Sequence, residues 1–144
     1  MPVRHASPDD VPALVAAYAW LFAAPGAVPA GWDEAVAARR LRAAIADPRA
    51  AVLVAGDVAG FCTAYLDLES VRFGPRCWVE DLAVDPARRS AGVGAALLEA
   101  ARRWAREQGA THLELDSSDA RVDAHRFYER ERPSATSRCF SWAL

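Results

Sequence analysis

Apolar and polar positions along this chain change their spacing several times, and each change marks an element. Val3 to His5 starts with a β-branched residue and predicts a short first strand. Ser7-Pro8-Asp9-Asp10 reads as a helix start, with a hydroxyl at the N-cap, proline in the first turn and acids behind it. The apolar run that follows predicts a helix to about Phe22, and Pro25 to Gly31 a loop. Trp32 to Ala46 predicts a second helix, with Val36, Arg40 and Ala44 at four-residue spacing and Leu41 and Ile45 beside them. It stops at Asp47-Pro48, because proline disfavours helical geometry in the residue before it. Ala51 to Ala55 is a short apolar strand, Gly56-Asp57 turns the chain, and Val58 to Leu68 returns as its partner.

Gly74-Pro75 breaks the chain again, Cys77 to Val84 is the next strand, and Asp85-Pro86 ends it. Gly92 to Gln108 predicts a helix with Val93, Leu97, Ala101 and Trp104 on one face, closed by Gly109. His112 to Ser117 is a strand with Leu113 and Leu115 on one side. Asp119 to about Arg130 is a helix with Ala120, Ala124 and Phe127 inward, and Ser137 to Leu144 a final strand. The order is β-α-α-β-β-β-α-β-α-β. No repeat or long linker interrupts it, so a single α/β domain over residues 1–144 is expected.

Composition adds exclusions. A chain of 144 residues, 53% hydrophobic and 25% charged, can bury a core without disulfides or metals. A net charge of −2 gives no broad basic surface for duplex nucleic acid, so no nucleic-acid partner is expected. All 17 basic side chains are arginine, which removes any Schiff-base or phosphate-loop lysine. Cys62, Cys77 and Cys139, and His5, His112 and His125, are too scattered for a metal site or a disulfide framework. A reducing, cytoplasmic setting is expected. Val11 to Trp32 is uncharged and about as long as a membrane span. Pro12, Pro25, Gly26, Pro29 and Gly31 break it, and Asp9 and Asp10 stand where an export signal needs basic residues. It reads as a buried helix and a loop, not as a membrane segment.

The segment richest in chemistry is Val79 to Gly94. A strand ends, a short loop carries Arg88 and Arg89, and Gly92 and Gly94 open a helix. Successive backbone N–H groups can converge there on one spot at the positive end of a helix, which suits an anion. Glycines let a ligand approach without a Cβ in its way, and arginines add charge for phosphates. A packing turn between strand and helix is the plain alternative. The chain lacks the lysine of a phosphate-binding P-loop, and its single βαβ unit fits a dinucleotide fold poorly.

Two motifs together resemble a known family. Arg89-Ser90-Ala91-Gly92-Val93-Gly94 is similar to the R/Q-x-x-G-x-G/A loop of the Gcn5-related N-acetyltransferases (GNAT), preceded by a matching strand and Pro86. Ala124-His125-Arg126-Phe127-Tyr128-Glu129 resembles the A-x-x-F-Y-x signature of that family's last helix. The resemblance implies a mixed, mostly antiparallel central sheet flanked by helices, and acetyl-CoA as co-substrate without a metal. It implies that Leu82, Ala83 and Val84 face the pantetheine arm, and that Arg89, Ser90, Ala91, Gly92, Val93, Gly94 and Ala95 cradle the pyrophosphate. It implies Tyr128 beside the thioester sulfur and Glu80 near the amine.

An ammonium cannot attack a thioester, so a carboxylate, directly or through water, must take its proton; Glu80, Asp81 and a water chain all stay open for this. A bulge in the strand would decide which acid faces the site. The expected acceptor is a small-molecule or peptide amine, with a small cationic amine favoured by the paired acids, and a homodimer stays open. Two departures stand out: Arg132-Pro133 replaces the family's Gly-Phe, and Arg121 stands where many members carry a cofactor-contacting asparagine. They motivate the alternative of a non-catalytic acyl-CoA-binding module.

Overall fold

The computed structural model describes residues 1–144. Five strands form one sheet in the order β1-β2-β3-β4-β5: β1 Val3–His5, β2 Ala50–Ala55, β3 Gly60–Ser70, β4 Gly74–Val84 and β5 His112–Glu114. The first four are antiparallel neighbours, and β5 joins β4 in parallel. The helices are α1 Val11–Ala17, α2 Ala19–Phe22, α3 Glu34–Ala46, α4 Val93–Glu107 and α5 Val122–Arg130. The mixed, mostly antiparallel sheet with flanking helices is therefore as the sequence implies.

Strand alternation splits the interior into two layers. Ala51, Leu53 and Ala55 of β2 face α4, while Val52 and Val54 face the layer of α1 and α3. The apolar stripe expected on α4 is present, with Val93, Leu97, Ala101 and Trp104 all buried against the sheet. On the other side Val11, Leu14 and Ala17 of α1 and Leu41 of α3 pack over Val54 and Phe61.

Local signals hold at most ends. Ser7 and Asp10 form a capping box before α1. Asp33 caps α3 through the Val36 N–H, so Trp32 lies outside that helix. The long first helix breaks at Tyr18 into α1 and α2.

The last quarter of the chain departs from expectation. Helix α5 begins at Val122, not Asp119, and Ala120 is exposed in the preceding turn. Strand β5 ends at Glu114 rather than Ser117. Ser137 to Leu144 forms no strand, and the sheet has five strands where six were predicted. Every residue from Pro133 onward is exposed, and the last backbone hydrogen bond there runs from Arg132 to Glu129. Arg132 has a φ of 56° and Pro133 has no N–H to give a ladder. The three-residue β5 also offers little edge on which a sixth strand could pair.

Leu97 is fully buried where α4 meets the sheet. Leu97→Ala is expected to cost about 2–5 kcal/mol in denaturant unfolding, the range for a large-to-small change in a packed core. A loss below about 0.5 kcal/mol, the scale of a surface substitution, would contradict this packing.

Candidate functional site

Strand β4 is paired on both sides only along its first half. Its parallel pairing with β5 matches Arg76, Cys77 and Trp78 to His112, Leu113 and Glu114, and then stops. From Val79 to Val84 only β3 remains alongside. Asp85 donates its N–H to Ala59 on the β3 side at 2.9 Å, and Asp81 donates to Thr63 Oγ1 at 3.1 Å. Backbone polar groups alternate along a strand, so those of Leu82 and Val84 point away from β3, into the wedge where β4 and β5 part. By the same alternation the backbone of Ala83 points back to β3.

A β-bulge sits in the same stretch. Thr63 pairs with Asp81 and Ala64 with Val79, so two residues of β4, Glu80 and Asp81, stand against one of β3. The bulge reverses the alternation. Cys77 and Val79 face the α4 layer before it, and Leu82 and Val84 face that layer after it. Both carboxylates are left on the opposite face, towards α1 and α2.

Their environments differ. Asp81 is half-buried; its Oδ2 accepts from the Tyr18 hydroxyl at 2.7 Å and from Thr63 Oγ1 at 3.2 Å. Burial and the Asp81 carboxylate push the Tyr18 phenol far above its ordinary range, so it stays a donor. Glu80 is exposed and accepts one hydrogen bond, from the Trp78 indole at 2.8 Å. Tyr65 stands nearby, its phenol raised by burial and then by Glu80. The structure thus separates an acid held in a network from an acid free to meet a ligand.

The loop after β4 leads directly into α4. Ser90 and Gly92 both have positive φ, 65° and 80°, and Gly92 is the N-cap of α4. The first helical bond of α4 runs from Ala96 to Gly92, and no N–H from Arg89 to Ala95 donates to a protein oxygen. A Cβ on Gly92 would meet nothing within 4 Å, so the space above it is open. Arg88 and Arg89 are exposed and make no ion pair. A row of unused donors, open space and two uncompensated cations suit a diphosphate.

Helix α5 borders the wedge. Phe127 rests on the first turn of α4, its Cζ 3.4 Å from where a Cβ on Gly94 would lie. Tyr128 is half-buried beside it, with ring centroids 5.1 Å apart. Burial pushes the Tyr128 phenol up to about 12, nearby Cys62 adds to the rise, and Arg121 opposes it. His125 Nε2 lies 2.9 Å from the Ser118 carbonyl in the segment before α5. Trp20 packs on Phe61, while Phe22 and Trp32 join Tyr18 in an aromatic cluster on the Asp81 side.

Sequence reading missed three features. Tyr18 meets Asp81 across 63 positions, and Arg121 donates to the Leu21 carbonyl across 100. Ser117, on the stretch after β5, has a buried hydroxyl oxygen with no hydrogen-bond partner. No local pattern marks such pairs.

Comparison with known proteins agrees with this geometry. The profile of the acetyltransferase (GNAT) family matches residues 14–132. An uncharacterized N-acetyltransferase of Bacillus subtilis, YhdJ, is 42% identical over 59 residues, covering 41% of this chain and 42% of that protein. A streptothricin acetyltransferase of Streptomyces lavendulae is 36% identical over 87 residues, covering 59% of this chain and 44% of that protein. The matched stretches thus span less than half the length of these curated relatives. Among solved structures, AAC(6')-Iy in complex with a bisubstrate analogue, CoA-S-monomethyl-acetylneamine, superposes with a TM-score of 0.82 at 18% identity. That alignment covers 99% of this chain and 97% of the other, a likeness of fold.

The Tyr18–Asp81 bond is directly testable. Tyr18→Phe removes the hydroxyl and keeps the ring, so about 1.5–3 kcal/mol of unfolding free energy is expected to be lost, as for a hydrogen bond to a charged acceptor. An unchanged denaturation midpoint would show that the bond contributes nothing.

Proposed function

This chain belongs to the acetyltransferase (GNAT) family, and on that premise we propose that it transfers an acetyl group from acetyl-CoA to a primary amine, with a small cationic amine as acceptor. The observation that carries the reading is the wedge itself. One wall is the unpaired edge of β4 at Leu82 and Val84, one end is the row of free N–H groups from Arg89 to Ala95, and Glu80 lies at the other end on the far face.

Acetyl-CoA supplies a diphosphate to anchor, a thioester carbonyl to be attacked and a thiol to leave. Leu82 and Val84 offer N–H and C=O groups to an extended arm as a neighbouring strand would. Arg89, Ser90, Ala91, Gly92, Val93, Gly94 and Ala95 present the anion cradle, and Ala83 serves by holding β4 to β3. Glu80, exposed between Tyr65 and Trp78, attracts an ammonium group by charge and by the aromatic faces beside it. Its carboxylate accepts the proton that the amine must lose, directly or through water. Asp81, committed to Tyr18 and Thr63, holds the bulge in shape. Tyr128 is protonated throughout the neutral range and donates to the sulfur as negative charge develops there.

Gly92→Val puts a β-branched side chain at a φ of 80°, a conformation that costs an L-residue about 1–2 kcal/mol. Acetyl-CoA affinity by calorimetry is expected to fall at least about tenfold, equivalent to roughly 1.4 kcal/mol, with the fold retained. Undiminished affinity would count against the loop as the anion site.

A thiol-release assay with acetyl-CoA across cationic and neutral amines tests the activity. Glu80→Gln is expected to lower turnover about a hundredfold and flatten its rise with pH, and Tyr128→Phe to lower it about ten- to a thousandfold with acetyl-CoA binding intact. Because the Tyr128 phenol is raised, the wild-type profile should show no falling limb near pH 10, where an ordinary phenol ionises. Binding of acetyl-CoA without turnover on any amine would instead identify a non-catalytic acyl-CoA-binding module.

A further inference from the structure

Helix α5 carries Tyr128, yet none of its residues is fully buried. Phe127 fixes it to α4 on one side of the wedge. On the other side lies the short arm of α1 and α2, anchored to β4 by Tyr18 and Asp81. One hydrogen bond joins α5 to that arm: Arg121, at the N-cap of α5, donates from Nη2 to the Leu21 carbonyl at 2.9 Å, in a half-buried setting. The Leu21 carbonyl stands at the end of α2, where the helix leaves it free to accept. The contact therefore ties α5 to the arm that lies over the face carrying Glu80 and Asp81.

The arm is shaped for this contact. A Cβ on Gly26 would collide with the Leu21 oxygen and lie 2.8 Å from Arg121 Nη2, so only glycine lets the loop fold back over the bond. Gly26 donates its N–H to Ala23 at 2.8 Å, closing the turn around it.

We propose that Arg121 is a positioning residue that latches α5 to the α1–α2 arm and so limits the size of the amine acceptor that reaches Glu80 and Tyr128. This rests on the acetyl-transfer reading for its substrate, but the latch itself does not. With the bond made, the aromatic arm of Tyr18, Phe22 and Trp32 stays down over the face that carries Glu80. With the bond broken, the end of the arm at Leu21 to Gly26 loses its tie to α5 and moves more freely, while α1 stays packed over Val54 and Phe61.

The test uses Arg121→Met, which keeps length without donor or charge, Arg121→Gln, which keeps a donor, and Gly26→Ala, which disturbs the bond from the other side. Peptide-level hydrogen exchange over residues 18–26 should quicken at least about fivefold in Arg121→Met and Gly26→Ala, with Arg121→Gln in between and α4 unchanged. The KM for a small amine should rise about tenfold with less than threefold change in acetyl-CoA affinity, while bulky amines gain relative to small ones. Unchanged exchange over residues 18–26 in the folded variants overturns the latch. Faster exchange with unaltered preference between small and bulky amines overturns its role in selection. No acetyl transfer by the wild type defeats the enzymatic reading, and the exchange measurement then still decides the latch.

Discussion

Strand β4 cannot serve as an ordinary strand along its whole length, and the site follows from that constraint. Its first half is paired on both edges and built into the sheet, while its second half keeps β3 and loses β5. A bulge at the junction places Glu80 and Asp81 on one face and returns Leu82 and Val84 to the α4 layer. An unpaired strand edge normally invites aggregation or needs covering. Here the gap between the parting strands leaves that edge open, and it ends at the free N–H groups of the α4 cap.

The two acids illustrate how burial divides labour. Adjacent in sequence and on one face, they differ in what surrounds them. Asp81 satisfies its charge with two hydroxyl donors and thereby ties the arm to the sheet. Glu80 keeps one indole donor and stays accessible. A carboxylate fully engaged in a network is a poor proton acceptor for a substrate, because accepting means giving up bonds already made.

Much of this was legible in the residues. The stripe of Val93, Leu97, Ala101 and Trp104 fixed α4 and its buried face, and the glycines before it marked where that helix starts. The capping box at Ser7 and Asp10 marked the start of α1. The bulge was legible only as an alternative, because a two-residue period does not say where it slips. Tyr18 with Asp81 and Arg121 with Leu21 were not legible, since each bond joins distant positions through tertiary packing. The C-terminal residues failed in the opposite sense. Phe140, Trp142 and Leu144 alternate as a strand should, but alternation makes a strand only where an edge is available to pair with.

The central claim is that the wedge of β4 and the loop at the start of α4 bind acetyl-CoA as one continuous surface. Titrating isotope-labelled protein with acetyl-CoA and following backbone amide resonances tests it most directly. The amides of Arg89 to Ala95, Leu82 and Val84 should shift together and saturate at one affinity, while Ala83 and the residues of β1 move little. Saturable shifts centred elsewhere, or none in the loop and the strand edge, would contradict the account.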